Sequence, residues 1–259
     1  MPELATRPAT NVADAHTAMP ELRGRKAIVT GGTTGIGRAI AVLLASEGVD
    51  VFVCGRDPDY LADALARIGE VGRGDGIALD LAERTNVGRF FEAAERYLGG
   101  IDIAVINAAV PADALADAEE DELRYQIAVD FTAYLATSHA AIKRMGAGSD
   151  LVLIGSMAAV SRRPGSSIYV AAKAGIEAFA QSLRRELAER DIKVGLIEPG
   201  FTGADFQYPE FPPEKQVELI NAHKMLRAED IAVAVQVMLT QPRRTALSLM
   251  RVETRLDHP

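Results

Sequence analysis

The chain has few of the features that disulfide-rich, membrane-spanning or nucleic-acid-binding proteins need. Cys54 is the only cysteine among the 259 residues, so no intrachain disulfide can form and a reducing compartment suits the chain. No apolar run approaches the roughly 20 residues of a transmembrane helix. The net charge of -8 argues against a nucleic-acid surface, which needs a basic stripe. These absences, with 48% apolar and 25% charged residues, favour a globular protein of the cytoplasm.

The first 21 residues differ in composition from the rest of the chain. They mix Ala, Thr, Pro, Asp and His without a hydrophobic period, and they lack the basic segment and apolar core of a signal peptide. We expect residues 1–21 to form a disordered arm. Residues 22–259 suffice for one α/β domain with a large buried core, and no second domain is indicated.

Short β-branched segments alternate with longer helical patterns along the chain. This alternation predicts an α/β fold with one doubly wound parallel sheet of about seven strands and helices on both faces. We expect strands at 27–30, 50–54, 76–79, 101–106, 151–154, 193–197 and 246–252. We expect helices at 36–47, 60–68, 83–98, 119–145, 167–189 and 228–239.

A glycine-rich turn lies between the first predicted strand and the first predicted helix. Its residues are, in order, Thr30-Gly31-Gly32-Thr33-Thr34-Gly35-Ile36-Gly37. Glycines allow backbone N–H groups to approach a ligand, and the N-terminus of a helix carries partial positive charge. The turn therefore predicts a phosphate-binding site, although glycine-rich turns are also ordinary loops.

Tyr169 and Lys173 stand four residues apart in a predicted helix, so their side chains share one helical face. A phenol with a pKa near ~10 is a poor acid or base at neutral pH, and a nearby cation favours its ionised form. Ser156 follows the predicted strand 151–154, which places it at the carboxyl rim of the sheet. A surface Tyr–Lys pair and an inert serine are the alternative interpretations of these residues.

Together these segments resemble the short-chain dehydrogenase/reductase family of the classical type, from about Lys26 to about Gly203. The matching segments are, in chain order, Thr30–Gly37, Asp80-Leu81, Asn107-Ala108-Ala109, Ser156, Tyr169 with Lys173, and Pro199-Gly200. The resemblance implies a Rossmann-type domain that transfers hydride between a nicotinamide cofactor and a carbonyl or alcohol carbon. The C-terminal end and the segment 198–203 also resemble the branch that contains 3-hydroxy acid and serine dehydrogenases.

The resemblance also implies roles for individual residues. Tyr169 would be the catalytic acid/base, Lys173 would lower its pKa and bind the nicotinamide ribose, and Ser156 would orient the substrate carbonyl. Asp130 stands where the family has an asparagine that holds a water of the proton relay. The expected cofactor-binding residues are Thr30, Gly31, Thr33, Thr34, Gly35, Ile36, Gly37, Gly55, Arg56, Asp80, Leu81, Asn107, Ala108, Ala109, Tyr169, Lys173, Pro199, Gly200 and Thr202. No metal site is expected.

The end of the second predicted strand bears on the choice between NADP(H) and NAD(H). An NAD site places a carboxylate there for the ribose 2′-hydroxyl, and a carboxylate repels a 2′-phosphate. This chain has Gly55 followed by Arg56, and a guanidinium suits a phosphate in geometry and charge. We therefore expect NADP(H). Alternatively, Arg56 caps a loop and pairs with Asp57 or Asp59.

Two departures from the family pattern leave a second function open. Asp130 replaces an asparagine, and Asn107-Ala108-Ala109 lacks one asparagine and the final glycine of the usual NNAG segment. A carboxylate at position 130 would raise the pKa of Lys173. The alternative to an enzyme is a cofactor-binding regulatory protein of the same fold with weak or no catalysis, although such regulators are expected to lose the tyrosine or the lysine.

The substrate and the assembly are addressed only in outline by the sequence. The segment 199–224 is predicted to be irregular, and its aromatic part, 201–211, follows a predicted strand. We therefore expect a lid near residues 200–225 over a small-molecule carbonyl or alcohol substrate. An oxidative role on a hydroxylated natural product is a further possibility. The small residues Ala171, Ala174 and Ala178 on the predicted helix 167–189 favour a homodimer or homotetramer, as in the family it resembles.

Overall fold

The structure is a computed structural model that describes residues 19–111, 114–204, 207 and 210–256. It contains one sheet of seven strands within these residues. The strands are β1 (Lys26–Thr30), β2 (Asp50–Gly55), β3 (Arg73–Ala78), β4 (Ile103–Ile106), β5 (Asp150–Ile154), β6 (Lys193–Pro199) and β7 (Leu249–Val252). The predicted sheet is confirmed, with strand ends that differ from the expected ones by zero to three residues.

The strands are all parallel, in the order β3-β2-β1-β4-β5-β6-β7. The chain moves outward in one direction from β1 to β3 and then returns to place β4 on the other side of β1. A crevice opens at such a reversal, beyond the carboxyl ends of the two central strands, and ligands bind there in doubly wound sheets.

The helices cover both faces of the sheet. They are α1 (Gly35–Ser46), α2 (Pro58–Val71), α3 (Asn86–Leu98), α4 (Glu120–Ile127), α5 (Tyr134–Ile142), α6 (Ala158–Ser161), α7 (Ser167–Leu187), α8 (Pro213–Asn221) and α9 (Ala228–Leu239). One buried cluster joins one face of the sheet to α3, α5 and α7, and another joins the opposite face to α1 and α9. Within the described residues, no helix combines the length and the apolar character needed to cross a membrane.

The predicted helix 119–145 is interrupted in the structure. A π-helical segment, Ala128–Ala133, lies between α4 and α5. A π turn adds one residue to the helical turn and often occurs at functional sites. Asp130 lies in this segment with only 1% of its surface exposed, so the interruption coincides with a departure from the family pattern.

The segment after β6 was expected to be irregular, and that expectation is wrong in part because α8 begins at Pro213. Proline suits the first turn of a helix, where its missing N–H has no acceptor. The rings of Phe201 and Phe211 pack edge to face with centroids 5.0 Å apart, which holds the two ends of the aromatic segment together. Phe206 and Tyr208 lie outside the described residues, as does the expected arm up to residue 18.

One buried carboxylate stabilises the N-terminal ends of the strands, opposite the crevice. Asp150 begins β5 with a side chain that is 6% exposed, and its oxygens lie 2.7 Å from Arg25 Nη2, 3.1 Å from Arg243 Nη1 and 3.4 Å from Lys193 Nζ. These three cations come from the N-terminal end of the domain, from β6 and from the segment before β7. Asp150 therefore joins distant parts of the chain at the N-terminal ends of the strands.

We predict that Asp150→Asn lowers the free energy of unfolding by about 3 kcal/mol, because it leaves three partly buried cations without their common anion. Chemical denaturation at neutral pH measures this loss. The control is Asp63→Asn, which removes an exposed carboxylate that also contacts two arginines and should have a much smaller effect. Equal losses in the two variants would contradict a special role for Asp150.

Candidate active site

The carboxyl ends of β1 and β4 are tied together by two side chains. The Thr30 hydroxyl accepts the backbone N–H groups of Asn107 and Ala108 at 2.9 and 3.1 Å. The Asn107 amide donates in return to the carbonyl oxygens of Thr30 and Gly31 at 3.1 and 3.2 Å. These bonds fix the glycine turn against the end of β4, at the crevice predicted by the strand order.

The glycine turn leaves the N-terminus of α1 open to a ligand. The Thr34 side chain makes no capping hydrogen bond, and the first turn of α1 has no acidic residue. The first N–H groups of a helix have no acceptor within it and carry partial positive charge. A Cβ atom at Gly37 would lie 2.1 Å from the Gly31 carbonyl oxygen, so only glycine allows this close approach. The pyrophosphate of a dinucleotide fits these donors.

The end of β2 has a glycine, Gly55, where an NAD site commonly places its carboxylate. A Cβ atom at Gly55 would lie 2.2 Å from Thr33 Oγ1, so any side chain there requires Thr33 to move. The next residue, Arg56, is exposed and donates to the hydroxyl of Tyr125 at 2.5 Å. The alternative pairing of Arg56 with Asp57 or Asp59 is not among the ion pairs of the described residues, and Asp57 Oδ1 accepts the N–H groups of Asp59 and Tyr60 at the start of α2.

The Ser156, Tyr169 and Lys173 side chains meet at the carboxyl rim of the sheet. The Ser156 side chain lies close enough to Tyr169 to lower the pKa of the phenol. Lys173 is buried, its Nζ lies 5.4 Å from the centre of the Tyr169 ring, and it donates to the Ile154 carbonyl oxygen at 3.2 Å. The predicted i,i+4 relation of Tyr169 and Lys173 on α7 is confirmed, as is the place of Ser156 after β5.

Burial dominates the electrostatics of this group. It raises the pKa of Tyr169, which the Ser156 hydrogen bond lowers and the Asp130 charge raises further. Burial lowers the pKa of Lys173, and Asp130 opposes that change. The lowering of the Tyr169 pKa by Lys173, which the family resemblance implies, stays a prediction.

Asp130 is a buried carboxyl group with one free oxygen. Its Oδ1 accepts the Val110 backbone N–H at 2.8 Å, whereas Oδ2 has no hydrogen-bond partner. Burial raises the Asp130 pKa from 3.8 to about 6, against the opposing effects of Lys173 and of the Val110 N–H. The π-helical segment thus presents a titratable group near Lys173.

The remaining predicted cofactor residues also lie at the carboxyl rim. The Gly200 N–H donates to the Val252 carbonyl at 2.7 Å, and Met157 N–H donates to Pro199 at 2.9 Å, so the Pro199-Gly200 turn is bonded to both neighbouring segments. Thr202 is buried, and its hydroxyl donates to the Gly200 carbonyl at 3.0 Å. Asp80, Leu81 and Ala109 follow β3 and β4 at the same edge.

The structure adds two tyrosines that the sequence patterns do not indicate. Tyr125 lies between Arg56 and Asp80 at the ends of β2 and β3. Tyr134 is buried, donates to the Ile154 carbonyl at 3.2 Å, and has its ring centre 5.5 Å from Lys173 Nζ. Its position four residues after Asp130 is the one sequence signal that could have found it. In the part of the chain that the structure describes, no three His, Cys, Asp or Glu residues form a metal-binding cluster.

The fold is a doubly wound parallel sheet, with a glycine turn against the end of β4 and a Ser–Tyr–Lys group at the same rim. These features are those of a Rossmann-type oxidoreductase. The comparisons with known proteins give the family. A family model described as short chain dehydrogenase matches residues 25–215. The chain belongs to the short-chain dehydrogenase family.

Relatives with curated descriptions span most of the chain. It is 33% identical over 222 residues to the 3-oxoacyl-(acyl-carrier-protein) reductase FabG of Haemophilus influenzae. The aligned part covers 83% of this chain and 90% of that protein. It is 32% identical over 232 residues to an uncharacterized oxidoreductase of Staphylococcus aureus. The aligned part covers 87% of this chain and 95% of that protein.

Solved structures agree with this assignment. A short chain dehydrogenase from Burkholderia cenocepacia in complex with NADP has a TM-score of 0.80 and 28% identity, with 90% of this chain and 98% of that chain covered. A blue fluorescent protein from a metagenomic library, in complex with NADPH, has a TM-score of 0.79 and 27% identity, with 91% and 98% covered. The cofactors of these two proteins agree with the one expected from Arg56.

We predict that Asp130→Asn becomes more stable relative to the wild type as the pH rises from about 4 to about 7. The folded-state pKa of about 6 exceeds the usual 3.8, so the folded carboxyl keeps its proton in that window while the unfolded one loses it. The wild type therefore loses on the order of 2–3 kcal/mol across the window and no more above it. The amide does not titrate.

Thermal unfolding of both proteins at several pH values tests this prediction. As the pH rises from about 4 to about 7, the Tm of Asp130→Asn should increase relative to that of the wild type by a few degrees. At higher pH the difference should stay constant. A difference that does not depend on pH would show that the buried carboxyl keeps an ordinary pKa.

Proposed function

We propose that this chain is an NADP(H)-dependent oxidoreductase that transfers hydride between the nicotinamide and a carbonyl or secondary alcohol carbon of a small molecule. One observation carries this proposal: Tyr169 and buried Lys173 lie one helical turn apart on α7, with Lys173 Nζ 5.4 Å from the centre of the Tyr169 ring. Ser156 lies close enough to lower the Tyr169 pKa, at the rim that holds the glycine turn. The Ser156 and Tyr169 hydroxyls would both contact one substrate oxygen bound at this rim.

The proton-transfer group would act as follows in the direction of reduction. When bound, NADPH supplies the hydride. The Tyr169 hydroxyl donates its proton to the carbonyl oxygen as negative charge develops there, and Ser156 donates a hydrogen bond to the same oxygen. The Lys173 ammonium stabilises the phenolate that remains, because an opposite charge in a site of low dielectric favours the ionised form.

Asp130 would tune this group as a charge near the lysine. Above its pKa of about 6 the carboxylate raises the pKa values of Lys173 and Tyr169. It therefore favours the protonated lysine and opposes formation of the phenolate. A protonated Asp130 would remove both effects, so the neutral carboxyl is the closer match to an asparagine.

The preference for NADP(H) is supported at the end of β2. Arg56 has an exposed guanidinium, and the ion pairs among the described residues do not include it, so its charge is available to a 2′-phosphate. Gly55 cannot be replaced by an acidic residue while Thr33 keeps its place. The pyrophosphate would lie against the N–H groups at the start of α1.

The substrate class, the lid and the assembly complete the proposal. The relative that reduces a 3-oxoacyl group makes 3-oxo thioesters the first substrates to test, beside simple ketones, aldehydes and β-keto acids. The segment 200–225 would close over the substrate. A homodimer or homotetramer is supported by the exposed Ala171 and Ala178 of α7.

The oxidoreductase proposal is tested by NADPH consumption against that panel. We predict that Tyr169→Phe abolishes turnover while the affinity for NADPH changes little, because only the proton donor is lost. Lys173→Ala should lower both turnover and NADPH affinity. Binding of NADPH without turnover of any substrate would instead support a regulatory protein, and wild-type turnover by Tyr169→Phe would remove the tyrosine from the mechanism.

We predict that Arg56→Asp weakens NADPH binding by roughly ten- to a hundred-fold, since one charge-assisted contact is worth about 1.5–3 kcal/mol. It should improve NADH binding because a carboxylate can accept the ribose 2′-hydroxyl. Fluorescence titration with each cofactor measures both changes. The control is Arg124→Asp, which replaces an exposed arginine of α4 whose partner is Glu120. Unchanged affinities for both cofactors in Arg56→Asp would support an NAD site.

A further inference from the structure

Three side chains from separate segments form a chain of hydrogen bonds at the adenosine end of the expected cofactor site. The Arg56 Nη1 atom, after β2, lies 2.5 Å from the Tyr125 hydroxyl, and that hydroxyl donates to Asp80 Oδ2 at 2.7 Å. The Arg56 guanidinium carbon also lies 5.8 Å from the centre of the Tyr125 ring. The tyrosine, from α4, thus uses both its hydroxyl and its ring to hold the arginine.

From this arrangement we infer that Tyr125 is a positioning residue that sets the preference for NADP(H) by holding Arg56 apart from Asp80 and over the 2′-phosphate position. The inference rests on the proposed function, because it concerns how that site distinguishes two cofactors. It assigns a role in cofactor choice to the α4 helix.

The physical reason lies in the charges that the phenol separates. A guanidinium and a carboxylate are held apart here by one hydroxyl oxygen, which lies 2.5 Å from the nitrogen and 2.7 Å from the carboxylate. Without that oxygen the long, exposed Arg56 side chain can move and pair with Asp80 directly, since opposite charges in bidentate geometry attract strongly. The pair would neutralise the arginine that a 2′-phosphate needs.

Asp80 is fixed on its other side, which makes it a firm support for the tyrosine. Its Oδ1 accepts the Ala82 N–H at 2.9 Å, and its backbone carbonyl accepts the Asn86 amide at 2.9 Å. Oδ2 remains for Tyr125. The carboxylate therefore orients the phenol so that its oxygen lone pairs face the guanidinium, as an acceptor for Arg56.

The test is the ratio of NADPH to NADH affinity in the full-length Tyr125→Phe variant, which removes one oxygen and keeps the ring. We expect NADPH affinity to fall about ten-fold, which corresponds to the loss of one hydrogen bond to a charged group, and NADH affinity to change less than about two-fold. The control is Tyr97→Phe, a phenol on α3 near Arg73, which should leave both affinities unchanged. A merely structural defect would weaken both cofactors equally.

A double variant separates an action through Arg56 from a direct one. In an Arg56→Ala background, Tyr125→Phe should cause no further change in the affinity ratio, because the group that it positions is gone. A second loss of the same size would mean that the tyrosine contacts the phosphate itself, and the inference would be wrong.

The remaining outcomes are also decisive. If the wild type prefers NADPH and the ratio of NADPH to NADH affinity is unchanged in Tyr125→Phe, the proposed role of Tyr125 is wrong. The proposed function then remains intact. Tighter binding of both cofactors would show that Tyr125 blocks the site, which also overturns it. A wild type that does not prefer NADPH would overturn the inference together with the NADP(H) part of the proposed function.

Discussion

The contact between the glycine turn and the end of β4 is the constraint on which the site depends. Thr30 and Asn107 exchange hydrogen bonds across the two central strands, and a Cβ atom at Gly37 would collide with the Gly31 carbonyl. The first turn of α1, whose N–H groups have no acceptor within the helix, therefore lies against the end of β4. Because β5 and β6 continue the sheet from β4, the same contact sets the distance from the glycine turn to Ser156.

Burial then gives the proton-transfer group its character. Tyr169, Lys173 and Asp130 are titratable groups packed together. Desolvation raises the pKa of Tyr169 and Asp130 and lowers that of Lys173, which favours the neutral form of each group. Mutual attraction of Asp130 and Lys173 opposes this tendency. The π-helical segment is what brings a carboxyl into this environment, since it turns Asp130 toward the Val110 N–H.

Local patterns predicted much of this architecture, and longer-range contacts explain what they missed. The strands and the Tyr169–Lys173 pair are properties of neighbouring residues, such as apolar runs and helical spacing, so the sequence predicts them well. Arg56 and Tyr125 are separated by 69 positions and Tyr125 and Asp80 by 45, and no local pattern indicates that they meet. The helix α8 (Pro213–Asn221) lies in the segment 199–224, which the sequence predicts to be irregular, because proline is compatible both with a turn and with the first turn of a helix.

The two ends of the site use tyrosine hydroxyls in different surroundings, and this difference decides what each can do. At the rim beside α7, Tyr134 and Lys173 both donate to the Ile154 carbonyl in a buried region, so charges there are strongly coupled and shift pKa values. At the adenosine end, Arg56 is exposed, and water screens its charge. A screened guanidinium contributes most to binding a 2′-phosphate when it is held in one position. In the role that we propose for it, Tyr125, supported by Asp80, holds Arg56 in that position.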